Sequence, residues 1–216
     1  MATQLDQAMR ELPLIAILRG IMPEAALPIG QALVDSGFRI IEVPLNRPGA
    51  LEAISQLSDR FGDSCVIGAG TVMTPSDVGE VATAGGRLIV TPHGDVEIVR
   101  AAVDSGLWCI PGIATPTEAF ACLKAGADGL KLFPAEILPP VVVKAMTAVI
   151  PPGTPLLPVG GIRPESMAEY VAAGASGFGL GSALYKPGRT PAAVSTSARR
   201  FVEAWNALTP NGDLLC

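Results

Sequence analysis

The sequence predicts an α/β protein, a TIM-type (β/α)8 barrel, as a single domain over residues 1–216 with a short helical segment at about 1–11. Three observations predict it. Short Val/Ile/Leu-rich runs recur eight times along the chain, their starts are spaced about 20 to 27 residues apart, and the stretches between them carry helix punctuation. Continuous apolar runs, as opposed to alternating ones, mark strands buried on both faces, and one helix fits between each neighbouring pair. Eight strand–helix units in 216 residues place the chain at the small end of the barrel range. A doubly wound open sheet is the alternative, and the absence of a GxGxxG after the first run counts against it.

The runs, in order, are LPLIAIL (12–18), RIIEVPL (39–45), CVIGAG (65–70), RLIVTP (87–92), LWCIPG (107–112), GLKLFP (129–134), PLLPVGG (155–161) and GFGLGS (177–182). Pro23, Pro75, Pro116 and Pro164 fall where a first helical residue would lie, a position that needs no N–H. Thr115 and Glu118 read as a capping box. Glycines at 37, 85, 106, 126 and 174 mark helix ends.

Composition narrows the function classes. Hydrophobic residues make up 49% and charged residues 16%, which is too apolar for disorder, and the net charge of −5 offers no electrostatic footprint for nucleic acid or an anionic membrane. The longest uncharged stretch, 145–162, contains four prolines and cannot form a membrane-spanning helix. The N-terminus lacks an apolar signal region, and Cys65, Cys109, Cys122 and Cys216 show no CxxC spacing. A cytoplasmic protein with reduced thiols is expected.

Barrel chemistry sits at the C-terminal ends of strands, so the search is confined to polar residues there. The chain has four lysines, and Lys131 alone falls inside a run, Leu130-Lys131-Leu132-Phe133. Parity turns the two leucines toward the helices and Lys131 inward, with Phe133 on its face as a wall that keeps the amine dry. Burial lowers an ammonium pKa. At about 10.4 roughly 0.04% of a lysine is free amine at pH 7, and at about 8 roughly 10% is. A carbonyl-attacking nucleophile follows from that placement. Glu42, in Ile40-Ile41-Glu42-Val43-Pro44, points inward by the same parity and can move protons; a structural ion pair with Arg19 or Lys131 is the alternative. Arg19 closes the first run and suits a carboxylate, and Thr71 after the third can donate a hydroxyl to the same anion. Gly160-Gly161 and Gly181-Ser182, after the seventh and eighth runs, match the phosphate site of such barrels. His93 is the one histidine and reads as a loop residue. No metal-ligand spacing occurs, so neither a metal nor another cofactor is expected.

These residues describe a lysine-imine aldolase acting on a phosphorylated keto acid. The motifs LIAILRG, GFRIIEVPLN, IGAGTV, LIVTP, IPGIATPTEA, LKLFPAE, PVGGI and GLGSALY, in order from Leu12 to Tyr185, resemble the bacterial KDPG/KHG aldolase family, which acts on 2-keto-3-deoxy-6-phosphogluconate or its galactonate epimer. The resemblance implies that Lys131 forms the imine, that Glu42 is the acid/base, and that Arg19 and Thr71 hold the carboxylate. It also implies a phosphate held by Gly160, Gly161, Gly181 and Ser182, and a homotrimer.

Two positions bear on the branch of the family. Gluconate enzymes typically read E-V-T-L-R-T after the glutamate and carry Thr before the Gly-Gly pair. Here Asn46 stands in that arginine's place, Val159 replaces the threonine, and Arg47 follows. Both features are similar to the galactonate branch. An isopropyl in place of a hydroxyl also removes a partner for the C4 hydroxyl, the centre that distinguishes the two sugars. A gluconate-selective or dual-specificity aldolase is the alternative, followed by a sugar-phosphate isomerase or decarboxylase, or a non-catalytic sugar-phosphate-binding barrel. The expected partner is a small phosphorylated keto-deoxy sugar acid, with no nucleic acid and no membrane.

Overall fold

Every apolar run carries a strand in the computed structural model, which describes residues 3–208. The strands are β1 (Leu14–Ile17), β2 (Ile40–Pro44), β3 (Val66–Gly70), β4 (Leu88–Val90), β5 (Trp108–Ile110), β6 (Gly112–Ile113), β7 (Leu130–Leu132), β8 (Leu156–Pro158) and β9 (Phe178–Leu180). The fifth run differs from expectation, since Pro111 divides it into β5 and β6. Proline has no N–H to give the ladder, but its carbonyl still accepts from Lys131 N at 2.9 Å, so the chain stays in line.

All pairings are parallel. One sheet has the order β5-β4-β3-β2-β1-β9 and the other β6-β7-β8. A parallel bridge between Val159 and Gly179, and a bond from Ser176 N to Leu156 O of 2.9 Å, join β8 to β9. The architecture is therefore α/β with one curled parallel surface.

The helices begin and end where local chemistry dictates. Pro23, Pro75 and Pro116 open α2 (Pro23–Asp35), α4 (Pro75–Thr83) and α6 (Pro116–Ala125). The capping box at Thr115 and Glu118 is formed, and Thr3/Asp6 and Thr74/Asp77 form two more in which Asp does the work of Glu. Those two caps escape a search for Glu or Gln alone. Pro164 opens a 3₁₀ turn, Pro164–Ser166, that leads into a short helix, Met167–Ala172. The glycines at 37, 85, 106, 126 and 174 all follow helix ends with φ between +69° and +107°.

Strand parity divides the core in two. Outward side chains such as Ala16, Ile41, Val43 and Ile67 pack with Ile29, Leu33, Ile54 and Leu57 of the helices. Inward ones, Ile15, Ile40, Val66, Leu88, Ile110 and Leu157, form a second cluster on the concave face. The amphipathic α1 (Gln4–Glu11) closes this inner cluster with Leu5, Ala8 and Met9. Among the described residues no helix is long and apolar enough to cross a membrane. Cys65, Cys109 and Cys122 are free and buried, and burial pushes the thiols of Cys109 and Cys122 up to about 12 and about 11. Cys216 lies outside the described residues.

Gly68 is inward-facing on β3, and a Cβ there would overlap the Leu88 carbonyl oxygen and lie 2.6 Å from Leu88 Cβ. Strand backbone cannot yield as a flexible side chain can. Gly68→Ala is expected to destabilise the fold by about 2–3 kcal/mol and to lower Tm by roughly 5–10 °C, measured by thermal unfolding; an unchanged Tm would contradict this close strand packing.

Candidate active site

The inward positions nearest the C-terminal strand ends are not apolar. Glu42 on β2 and Lys131 on β7 are 2% and 5% exposed, and with Thr91 they are the buried polar or charged side chains among the described residues. Glu42 fits because Gly70, two residues along the next strand from its register partner Gly68, has no side chain: a Cβ there would overlap the Glu42 carboxylate. Lys131 Nζ lies over the Phe133 ring at 4.6 Å from its centroid, as expected for residues two apart on one strand face.

Burial drives the two charges toward neutrality. Desolvation raises the Glu42 carboxyl to about 7, against the opposing pull of Lys131 and Arg19. Desolvation likewise lowers Lys131; Glu42 works against this and Arg19 adds to it. Glu42 Oε2 is buried and meets no hydrogen-bond partner among the described residues. A buried, unsatisfied acceptor beside a buried amine is an arrangement that structure alone does not favour.

Phe133, whose ring lies against Lys131 Nζ, is also a wall of a cavity of about 410 Å³, within the usual range for small-molecule sites; Lys131 and Glu42 themselves do not line it. Phe133, Ile17 and Val159 form its apolar wall. Val159 is 8% exposed and packs on Gly179, where a Cβ would come within 2.5 Å of Val159 Cγ2. Arg19 also lines the cavity, but β1 ends two residues earlier, so Arg19 stands in the following turn and is exposed. Asn46 Oδ1 accepts from Arg19 Nη1 at 3.2 Å, and its Nδ2 donates to the Pro44 carbonyl at 3.3 Å. This pair joins the turns after the first two strands.

The glycine loops reach the same cavity from the other side. Gly160 and Gly161 have φ of +117° and +63°, and Gly181 and Ser182 lie after β9. Among the described residues no protein acceptor takes the backbone N–H of Gly161 or Ser182. Outward-directed glycine amides with nearby cations suit an anion.

Thr71 does not line the cavity. It follows Gly70 in the left-handed region (φ +55°), which costs a β-branched residue about 1–3 kcal/mol. His93 is 44% exposed at its side chain and sits 3.8 Å from Asp95, the cap of the helix Val96–Asp104, as a loop residue would. Arg47, Lys186 and Glu136 line the cavity as well, although none was assigned a role from the sequence. All three lie in loops after strands, so the strand-end rule applied beyond the first polar residue would have found them. Among the described residues no three His, Cys, Asp or Glu side chains group as metal ligands.

A buried lysine and carboxylate on the concave face of a parallel α/β scaffold, beside a cavity lined by glycines and cationic side chains, suit an enzyme of imine chemistry. Relatives agree. The family described as KDPG and KHG aldolase matches residues 5–191. A 2-dehydro-3-deoxy-6-phosphogalactonate aldolase of Escherichia coli K12 is 45% identical over 195 residues, 90% of this chain and 95% of that protein. A solved structure described as native KDPGal superposes with a TM-score of 0.91 at 44% identity, covering 93% of this chain and 97% of that one. A Legionella pneumophila KDPG aldolase, with pyruvate captured at low pH as a covalent carbinolamine, gives a TM-score of 0.79 at 29% identity over 96% and 98%. The chain belongs to the KDPG and KHG aldolase family and is a carbon–carbon lyase.

Proposed function

We propose that this chain is a class I aldolase that cleaves 2-dehydro-3-deoxy-6-phosphogalactonate to pyruvate and glyceraldehyde 3-phosphate. The carrying observation is the burial of Lys131 and Glu42, with the orphaned Glu42 Oε2, behind Phe133, a wall of the cavity that Val159 also lines. The 45% identity to a galactonate-type enzyme supports the branch.

The fold reading that supports it is a single barrel domain over 1–216. The inner cluster draws on both sheets, with Leu157 of β8 packed among residues of β1 to β5. Pro111 links the sheets along the chain and the Val159–Gly179 bridge links them laterally. The barrel reading counts β5 and β6 as one interrupted strand, which makes eight.

In the reaction, the neutral Lys131 amine adds to the C2 ketone and gives a carbinolamine. Glu42, held near neutral pKa, protonates the departing hydroxyl, and water leaves as the protonated imine forms. Glu42, now ionised, takes the C4 hydroxyl proton. The C3–C4 pair moves into the imine, the aldehyde departs, and an enamine remains on Lys131. Glu42 returns its proton to C3, and water hydrolyses the imine to free pyruvate and amine. Arg19 orients the carboxylate, while the loops at Gly160–Gly161 and Gly181–Ser182 hold the phosphate, so remote binding positions the scissile bond; the role expected for Thr71 is not retained, because Thr71 stands outside the cavity. Asn46 tethers Arg19, Phe133 shields the amine, and Val159 leaves the C4 hydroxyl without a polar partner on that wall. The working form is a homotrimer in the cytoplasm, with no cofactor.

The test is paired kinetics of pyruvate release from the galactonate substrate and its gluconate epimer. A kcat/KM preference of at least about tenfold for the galactonate is expected, the scale of one polar contact at a stereocentre. Equal or reversed preference would leave the imine chemistry standing and remove Asn46 and Val159 as the source of selectivity.

A further inference from the structure

One side chain stands where the proposed anion site has least use for it. Glu136 belongs to the 3₁₀ turn Ala135–Ile137 that follows β7. That turn is fastened to the glycine loop, because Ala135 N donates to the Val159 carbonyl at 2.9 Å and Tyr170 Oη donates to the Ala135 carbonyl at 3.1 Å. The Glu136 carboxylate consequently lies on the glycine pair. A Cβ at Gly160 would overlap Glu136 Oε2, and one at Gly161 would lie 3.4 Å from Oε1. Arg19, Arg47 and Lys186 line the same cavity, yet among the described residues none is within ion-pair distance of Glu136. The backbone is pinned and the side chain is exposed, so the carboxylate can leave the cradle without disturbing the turn.

We propose that Glu136 sets the affinity of the site for the phosphoester end of its ligands, by competing with that anion for the Gly160–Gly161 cradle. This rests on the phosphate reading of the two glycine loops. A carboxylate and a phosphoester cannot occupy the same space over the glycine pair, so a phosphoester enters only as the carboxylate moves out, and binding is weaker than the loop amides with Arg47 and Lys186 alone would make it. The penalty falls equally on phosphorylated substrate and phosphorylated aldehyde. It raises KM and eases product departure, and leaves the bond-breaking step at the buried lysine untouched.

The experiment measures inorganic phosphate as a competitive inhibitor of pyruvate release by the wild-type enzyme, by Glu136→Gln and by Glu136→Ala. Both variants are expected to lower the phosphate Ki by about fivefold, the size of one screened charge contact at an exposed site, and to lower KM in parallel. Tighter binding is a result that damage to the fold does not produce. An unchanged or raised Ki in both variants, with phosphate competing in the wild type, overturns the role of Glu136 and keeps the cradle. If phosphate does not compete in the wild type, the cradle reading fails and this proposal falls with it.

Discussion

Replacing Lys131 with alanine is expected to reduce pyruvate release by about 10⁵-fold or more, the scale seen when a covalent nucleophile is removed. The chain contains three other lysines, at 124, 144 and 186. Lys186 lines the cavity but is exposed beyond the last strand. Borohydride reduction in the presence of pyruvate, followed by peptide mass analysis, should attach the three-carbon unit to Lys131 in the wild type and to no lysine in the variant. Turnover within tenfold of wild type, or label on Lys186, would refute Lys131 as the imine former. Lys131→Ala leaves a cavity at the strand end instead of a buried charge, so loss of fold is not expected.

Glu42→Gln carries the second large effect. The amide fits over Gly70 as the carboxylate does, but it can neither take the C4 proton nor release one to the carbinolamine hydroxyl. A fall in kcat of about 10²–10⁴-fold is expected. The pH profile gives a sharper readout. In the wild type the free enzyme must combine a neutral Lys131 amine with a protonated Glu42, so kcat/KM should fall as pH rises through about 7, where burial holds the Glu42 carboxyl. Protonation of Lys131 sets the acidic limb, and the two groups titrate as a pair. In the variant the carboxylate that favours the ammonium is gone, so Lys131 is lowered further and the acidic limb should move to lower pH. A basic limb that stays near 7 in the variant, at unreduced rate, would show that Glu42 is a structural partner only.

Much of this site could be read before any coordinates because it obeys a period of two. Lys131, Glu42, Phe133 and Val159 all sit on or just after strands where alternation turns them inward, and they fall on the concave side or in the cavity wall. Helix starts were legible for a similar reason, since Pro23, Pro75 and Pro116 act through local backbone chemistry. What escaped depends on relations between distant segments. The division at Pro111 was hidden inside an otherwise continuous apolar run. The role of Gly70 appears only when β2 and β3 are set in register, which brings an empty position beside a carboxylate. The Arg19–Asn46 bond joins two turns, and Glu136 reaches Gly160 across a loop; no periodicity in the chain encodes either. Arg19, one residue past the first run, stands in the turn after β1 and lines the cavity from there.

The N-terminal helix has a bearing on the chemistry that its position does not advertise. Leu5, Ala8 and Met9 stopper the far end of the same apolar column whose near end holds Lys131 and Glu42. Apolar side chains thus keep that end of the column dry. A segment that lines no part of the cavity adds in this way to the desolvation that lowers the Lys131 ammonium, and the reactivity expected of the amine depends in part on how well its opposite pole is sealed.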